Sequence, residues 1–340
     1  MILSDLTLAR FRSYTKRTFI FAPTTTLIIG PNTAGKTNIL EAIMMLATGK
    51  SFRADRDIEM IQWGSQLSVI SCQLSANDDK TKLEIRLTPT KKYLVNGIPR
   101  RQIDFVGNLR AVLFWPEHLE LVTDSPSLRR KYLDGVLVQV DREYRRNLLS
   151  YERGLRQRNH LLDLINEGKA NHNQLLFWNQ LLIKSGGYLT DARAAFIDFI
   201  NQCQMLNAKC QIEYDKSVIS ETRLAQYAQE EIAAKATLVG PHRDNFFITK
   251  NDLDLSKYGS RGEQRLAILW LKLAELAYIE KETGERPLLL LDDIFSELDR
   301  EHRKLVLDLL GKQQTIVTSA EEEVVDLFKK HKISVDIIRL

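Results

Sequence analysis

Cysteine is scarce in this chain, and no CxxC pair occurs. The three cysteines, Cys72, Cys203 and Cys210, are far apart and odd in number. That argues against a disulfide framework and a structural zinc site, and it fits a reducing cytoplasm. The histidines, His118, His160, His172, His242, His302 and His331, show no metal-ligand spacing. No apolar run reaches the roughly 18 residues of a membrane span, so no membrane partner is expected. The opening "MILSDLTLARFRSY" meets a charge at Asp5 and lacks the apolar core of a signal peptide. Internal repeats and low-complexity segments are also missing. A net charge of +4 is only mildly basic, well short of a histone-like tail.

What is present is ordinary for a globular protein: 44% hydrophobic and 27% charged residues. A length of 340 residues suggests two domains, or one large domain with an insertion. The charge is unevenly spread. Residues 129–158 hold nine Lys/Arg against four Asp/Glu. Such a stripe reads either as a footprint for a polyanion or as a solvated helix face.

Hydrophobic periodicity divides the chain into three parts. "LTLARF", "RTFIF" and "TTTLIIG" read as strands, followed by a helix from Thr37 with Ile39, Leu40, Ile43 and Leu46 on one face. A second set of strands spans 67–115, with Asn96-Gly97 as a two-residue hairpin turn and "AVLFWP" as the last strand. Then Leu133, Leu137, Val140, Tyr144, Leu148, Tyr151 and Leu155 fall on one side of a helix. That spacing assigns Tyr144 and Tyr151 to a helix–helix core rather than to base stacking. After the polar "NEGKANHN" a second stripe runs from Trp178 to Cys203, which predicts an antiparallel helical hairpin. Strand character returns at "LVGPHRDNFFI" (238–248). A helix from Gly262, the buried strand "PLLLLDD", a helix around 299–310 and the strand "QTIVTS" complete the pattern.

Three short motifs carry chemistry. "GPNTAGKT", residues 30–37, fits G-x-x-x-x-G-K-[ST] between a strand and a helix. Backbone N–H groups of Gly30, Pro31's successors Asn32, Thr33 and Ala34, and Gly35 would curl around phosphates. Lys36 would reach the outer phosphates, and the Thr37 hydroxyl would ligate Mg²⁺. "LLLLDDIFSELD", residues 288–299, is an apolar strand ending in acids. Asp292 would hold the Mg²⁺, and Asp293 would orient or deprotonate the attacking water. "YGSRGEQR", residues 258–265, opens a helix, so Ser260 and its neighbouring N–H groups form a second anion-seeking helix start. Lys36 and Asp292 are 256 residues apart, so a large insertion must separate them.

The order of these motifs resembles the ATP-binding-cassette superfamily. The signature serine of that superfamily caps the γ-phosphate held by a partner chain. The resemblance therefore implies that Ser260 and Gly262 act in trans, with Gln264 also among the nucleotide-binding residues, and that ATP binding drives homodimerisation. Where transporters carry a switch histidine, "TIVTSAE" places Thr318 or Ser319. That substitution, with Asp293 as the second acid, implies slow hydrolysis. "FRSY" (11–14), "SFRADRDIEMIQWG" (51–64), "FWPEHLELVTDSPSLRRKYLD" (114–134), "GPHRD" (240–244) and "LLLDDIFSELD" closely resemble the RecF family of bacterial recombinational-repair ATPases. The likeness runs from end to end and departs at Asp124, where the family usually has a glycine in a tight turn. It implies an α/β fold: an ABC-type P-loop ATPase head, residues 1–118 and 236–340, with an inserted antiparallel helical arm or lobe, residues 119–235. It implies ATP and Mg²⁺ as cofactors and DNA as a partner with little sequence specificity. It also implies RecO, RecR and RecA as pathway partners, a part in the SOS response, and a cytoplasmic, nucleoid-associated place. Lys50, Arg53, Arg56, Lys91, Lys92, Arg100 and Arg101 are the cations expected to meet DNA phosphates. The alternative is a nucleotide-binding subunit of another machine of this class, a transporter or an SMC-type complex. The "FRSY" opening and the basic helical segment speak against the transporter.

Overall fold

The computed structural model describes residues 1–76, 79–203, 208–297 and 300–340. The chain forms two compact units: Met1–His118 with Glu275–Leu340, and Leu119–Ala274.

The first unit opens with β1 (Ile2–Phe11), β2 (Tyr14–Ile20) and β3 (Thr25–Ile29), followed by helix α1 (Lys36–Thr48). Next come β4 (Ser68–Ala76), β5 (Asp79–Leu87), β6 (Lys92–Val95), β7 (Ile98–Arg100) and β8 (Ala111–Phe114). Strands β1, β2 and β4–β7 make an antiparallel sheet in the order β2-β1-β4-β5-β6-β7. Its hairpin β6–β7 closes through Asn96 (φ 51°) and Gly97 (φ 78°), the doubly left-handed turn that this dipeptide favours. Leu83, Ile85 and Leu87 alternate inward along β5 while Lys82 and Arg86 face water, the one-sided pattern of an antiparallel sheet.

The second unit begins with α2 (Pro126–Val140), α3 (Arg142–Asn166) and α4 (Leu176–Gln202). Strands β9 (Cys210–Asp215), β10 (Asn245–Lys250) and β11 (Leu253–Asp254) form a three-stranded antiparallel sheet. Helix α5 (Arg261–Thr283) supplies residues to both units. Helices α3 and α4 pack along each other, as the hairpin pattern predicts. Tyr144 and Tyr151 are buried in that core. The seven-residue stripe is not one helix, however. Asp141 divides it into α2 and α3, because its extended backbone and a carboxylate that accepts from Glu143 N (2.8 Å) start a new helix. Two more expectations are corrected. Residues 238–244 are not strand: Gly240 (φ 124°) and Pro241, which has no N–H to donate, turn the chain before β10 starts at Asn245. Asp124 needs no left-handed turn: its backbone is extended (φ −106°), and its N–H closes a short helix on Glu120 O at 2.8 Å.

The basic stripe at 129–158 is partly spent inside this unit. Arg158 is 2% exposed and pairs with Glu231 (2.6 Å), Thr237 and Asn179. Arg129 is buried too, with Asn245 and the Leu121 carbonyl as partners. Buried Arg193 joins Asp134, Asp244 and the Pro241 carbonyl, while Tyr214 and Ser217 N also hold Asp244. The "RRKYLD" and "GPHRD" blocks are therefore joined by one buried ionic network within this unit.

The chain ends in the first unit with β12 (Leu288–Asp292), α6 (Arg300–Leu307), β13 (Thr315–Ser319), α7 (Glu323–Lys330) and β14 (Asp336–Arg339). With β3 and β8 they form a parallel sheet in the order β14-β3-β13-β12-β8. Strands β3, β8, β12 and β13 are buried along their full lengths, and β8 and the leucine run of β12 accordingly read as apolar without alternation. The end of the "SELD" stretch, Leu298 and Asp299, lies outside the described residues.

Candidate nucleotide site and its surroundings

In an open parallel sheet, ligands bind beyond the carboxyl ends of the strands. Here β13 lies between β3 and β12, with Ser319 opposite Ile29 and Thr318 opposite Asp292. That register brings the segment after β3 (the P-loop) and the acids ending β12 to one edge, although they are 256 residues apart.

The loop residues Pro31, Asn32 and Thr33 are exposed, and Thr33 is left-handed (φ 74°). Gly30 N donates to Ser319 O (3.3 Å), and Ala34 N turns back to Pro31 O (3.2 Å). Gly35 has φ 95°, and a Cβ there would come 2.8 Å from the Tyr14 hydroxyl. Both facts demand glycine. The Tyr14 hydroxyl donates towards Gly35 O at 3.2 Å and Ala34 O at 3.4 Å, so the "FRSY" tyrosine lies over the loop. Lys36 and Thr37 begin α1. Lys36 is buried, and its Nζ donates to Gly30 O (2.7 Å) and Pro31 O (3.0 Å). Burial pushes its pKa down, against the raising effect of the Asp293 and Asp292 carboxylates. The lysine and both acids thus share one electrostatic neighbourhood.

Asp292 is 5% exposed and accepts from Thr318 Oγ1 at 2.6 Å. Asp293 N donates to Thr318 O (3.1 Å) and Oγ1 (3.2 Å), and Asp293 is left-handed (φ 50°), a strained conformation for a non-glycine residue. Thr318 is fully buried and its hydroxyl is engaged with the two aspartates. Ser319 is 2% exposed and directs its hydroxyl to Glu321 O. Both hydroxyls that the sequence set beside the γ-phosphate are buried at the carboxyl end of β13, Thr318 on the site aspartates and Ser319 on the following turn. The donor set fits a Mg²⁺–nucleotide: a carboxylate (Asp292), a hydroxyl (Thr37), a lysine and a glycine loop at a helix start.

Sequence reasoning missed Glu41. It is fully buried on α1, accepts two bonds from Arg12 (2.6 and 2.9 Å), and also accepts from Ser51 (2.6 Å) and Arg53 (2.9 Å). Burial pushes its carboxyl up, but the Arg12 and Ser51 hydrogen bonds and the two guanidinium charges outweigh that and hold it below the usual range. The available signal was a lone acid within the otherwise apolar run of residues 39–47.

The expected DNA cations separate in kind. Arg53 is committed to Glu41 and Asn38, and Lys91 to Asp57 (2.7 Å) and the Gly49 carbonyl, beside Lys50. Arg56 pairs loosely with Glu59 and is 80% exposed. Lys50, Lys92, Arg100 and Arg101 are exposed at the surface, Arg101 against Asp104.

In the second unit, Ser260 and Glu263 make a reciprocal capping box at the start of α5. Glu263 N donates to Ser260 Oγ (3.3 Å), and Ser260 N donates back to the Glu263 carboxylate (3.0 Å). The Ser260 N–H, Lys250 and the Ser260 hydroxyl hold the Glu263 carboxyl down at about 2. Ser260 and Gly262 are exposed. Gln264 is buried and donates to Leu255 O at 2.9 Å, so its amide braces the loop from below.

A parallel sheet with a P-loop, paired acids and an inserted helical region defines an ATPase head of the ABC class. The chain belongs to the RecF/RecN/SMC N-terminal domain family, whose pattern matches residues 2–336. Within it, the chain is 38% identical over 332 residues to the "DNA replication and repair protein RecF" of Lachnoclostridium phytofermentans, spanning 94% of this chain and 92% of that one. It is 34% identical to the protein of the same name from Halothermothrix orenii, across 100% of this chain and 96% of the other. A solved structure of "the recombination mediator protein RecF-ATP in RecFOR pathway" superposes with a TM-score of 0.87 at 31% identity, covering 94% of this chain and 92% of that chain. The expected RecF resemblance holds over essentially the whole chain.

Proposed function

We propose that this chain is an ATP-driven DNA-binding switch of recombinational repair and replication-gap processing. One observation carries the reading: the register of β3, β13 and β12 gathers Lys36, Asp292 and Asp293 at one strand edge. Lys36 and residues 30–37 bind the triphosphate. Thr37 and Asp292 hold Mg²⁺, which supplies charge neutralisation between the phosphates when bound. Asp293 positions the attacking water and accepts its proton. Thr318 fixes both aspartates and offers a hydroxyl where transporters carry the switch histidine, and Asp293 stands as the second acid; both support a slow, weak ATPase.

The exposed Ser260 and Gly262 serve the nucleotide of a second copy, so ATP binding produces a homodimer. Gln264 supports that loop from behind. Membership of the RecF family supports a role in DNA replication and repair, and the solved relative's place in the RecFOR pathway supports a place beside RecO and RecR; RecA loading and SOS induction belong to the same proposal. Among the described residues no helix is long and apolar enough to cross a membrane.

The test is solution mass with Mg·ATP and duplex DNA for wild type, Lys36→Ala, Ser260→Ala and Asp293→Asn. A dimer is expected for wild type and Asp293→Asn, and a monomer for the other two. A wild type that stays monomeric at high concentration with ATP and DNA overturns the reading.

A further inference from the structure

The expected DNA cations Arg53 and Lys91 are committed to acids, which leaves the question of what else a DNA strand would meet. The solvent face of the antiparallel sheet supplies an answer through its register. Lys16 on β2 is opposite Ala9, Ala9 is opposite Val69, Val69 is opposite Arg86, and Arg86 is opposite Lys92. One transverse row thus crosses five strands, with cations on both sides and two short side chains between them. At about 4.8 Å per strand, Arg86 and Lys92 are neighbours and Lys16 lies about 14 Å from Arg86. Lys16 and Lys92 are exposed and make no ion pair with the described residues. Arg86 is 47% exposed and shares Glu84, an acid of the adjacent row, at 2.6 Å.

The strand end next to this row carries the most exposed aromatic side chain of the described residues. Trp63 is 101% exposed. Its turn is fastened to the end of β1, where Gln62 N donates to Arg10 O (2.8 Å) and Ile61 bridges Phe11. Arg10 is itself exposed and in no ion pair with the described residues. An indole held in water beside uncommitted cations has an unfavourable apolar surface that a base can cover, and every base offers a π-face.

We propose that this sheet face is a DNA-contact surface, with the Lys16–Arg86–Lys92 row on phosphates and Trp63 stacking an unpaired base. The inference rests on the DNA-binding reading above and adds the contact surface: a backbone track across the sheet with a base-stacking position at its end. A protein partner covering Trp63 is the competing occupant. Lys16, Lys92 and Arg10, which make no ion pair with the described residues, favour the polyanion, and Arg86 would exchange Glu84 for a phosphate.

The test is anisotropy of labelled DNA with the full chain and Mg·ATP, comparing a continuous duplex with a gapped duplex across a salt series. For Trp63→Ala, affinity for gapped DNA should fall roughly 5- to 100-fold, with the continuous duplex unchanged. For the triple variant Lys16→Ala, Arg86→Ala, Lys92→Ala, the slope of log affinity against log salt should shrink by about 2.7 on both DNAs. A Trp63→Ala variant that binds both DNAs as wild type does, or a triple variant with an unchanged slope, overturns the inference while leaving the DNA-binding reading intact. A wild type with no ATP-dependent affinity for either DNA overturns that reading, and the inference with it.

Discussion

Thr318 shows how much depends on a single hydroxyl. It donates to the Asp292 carboxylate and accepts from Asp293 N, so it orients both acids at once. Thr318→Val keeps the shape and removes both bonds. Supporting residues of this kind typically hold 10- to 100-fold in metal affinity. We expect the Mg²⁺ concentration for half-maximal ATP turnover to rise by about that factor, while Mg-independent nucleotide binding, read by a fluorescent analogue, stays near wild type. Thr318→Ser should restore the Mg²⁺ requirement. His242 is a second case. Its Nε2 lies 2.9 Å from Thr237 O, a pure acceptor, so Nε2 carries the proton and Nδ1 accepts from the Tyr151 hydroxyl at 2.8 Å. Burial pushes its pKa from 6.5 down to about 4. The folded state therefore resists a proton that the unfolded chain takes up. This contribution is complete above pH 6.5 and is lost as pH falls towards 4. The melting temperature of His242→Gln should fall less than that of wild type across this window; parallel curves would refute the assignment.

The start of α5 is where one element carries two roles. The capping box gives Ser260 a local reason to exist, since it satisfies orphan helix N–H groups. Its exposure leaves the same residue open for a partner's nucleotide. The two roles separate by substitution. Ser260→Ala should cost about 1 kcal/mol in urea unfolding and also abolish the ATP-dependent dimer. Ser260→Gly removes the hydroxyl but costs an N-cap only a few tenths of a kcal/mol, so stability should be nearly kept and the dimer lost. A Ser260→Gly chain that still dimerises with ATP removes the trans role. Element type was largely legible in the sequence where its cause is local. The leucine run of β12, the Asn96-Gly97 hairpin and the Tyr144/Tyr151 core stripe formed as their spacing predicts. The break at Asp141 was not legible. A period of three and four continues across it, and only the cap on Glu143 N ends one helix and starts another.

At the scale of the whole molecule the expected behaviour is a cycle: ATP joins two copies, and hydrolysis by way of Asp293 separates them. Asp293→Asn retains the strained backbone position but removes the proton acceptor. We expect its ATP-dependent dimer to dissociate at least about tenfold more slowly than that of wild type, as the loss of a general base lowers turnover by roughly 10²–10⁴. Single-molecule mass measurement after dilution checks this, and equal lifetimes would mean that hydrolysis does not set the release step.

By itself the sequence determined what contiguous residues can specify. The P-loop, the acid-ended strand and the helix-opening serine loop each carry their chemistry within about a dozen residues, because backbone curvature, strand burial and capping are local effects. Tertiary structure alone decided which distant groups meet. Strand register joined Asp292 to Lys36 across 256 residues and turned the Thr318 hydroxyl onto the aspartates. Packing around α1 claimed Arg53 for Glu41, and the transverse register lined up Lys16, Arg86 and Lys92 from three separate strands. The reason is physical: a charge is committed or free according to what lies within a few ångströms of it, and the neighbours that decide this are brought there by pairing between strands far apart in the chain.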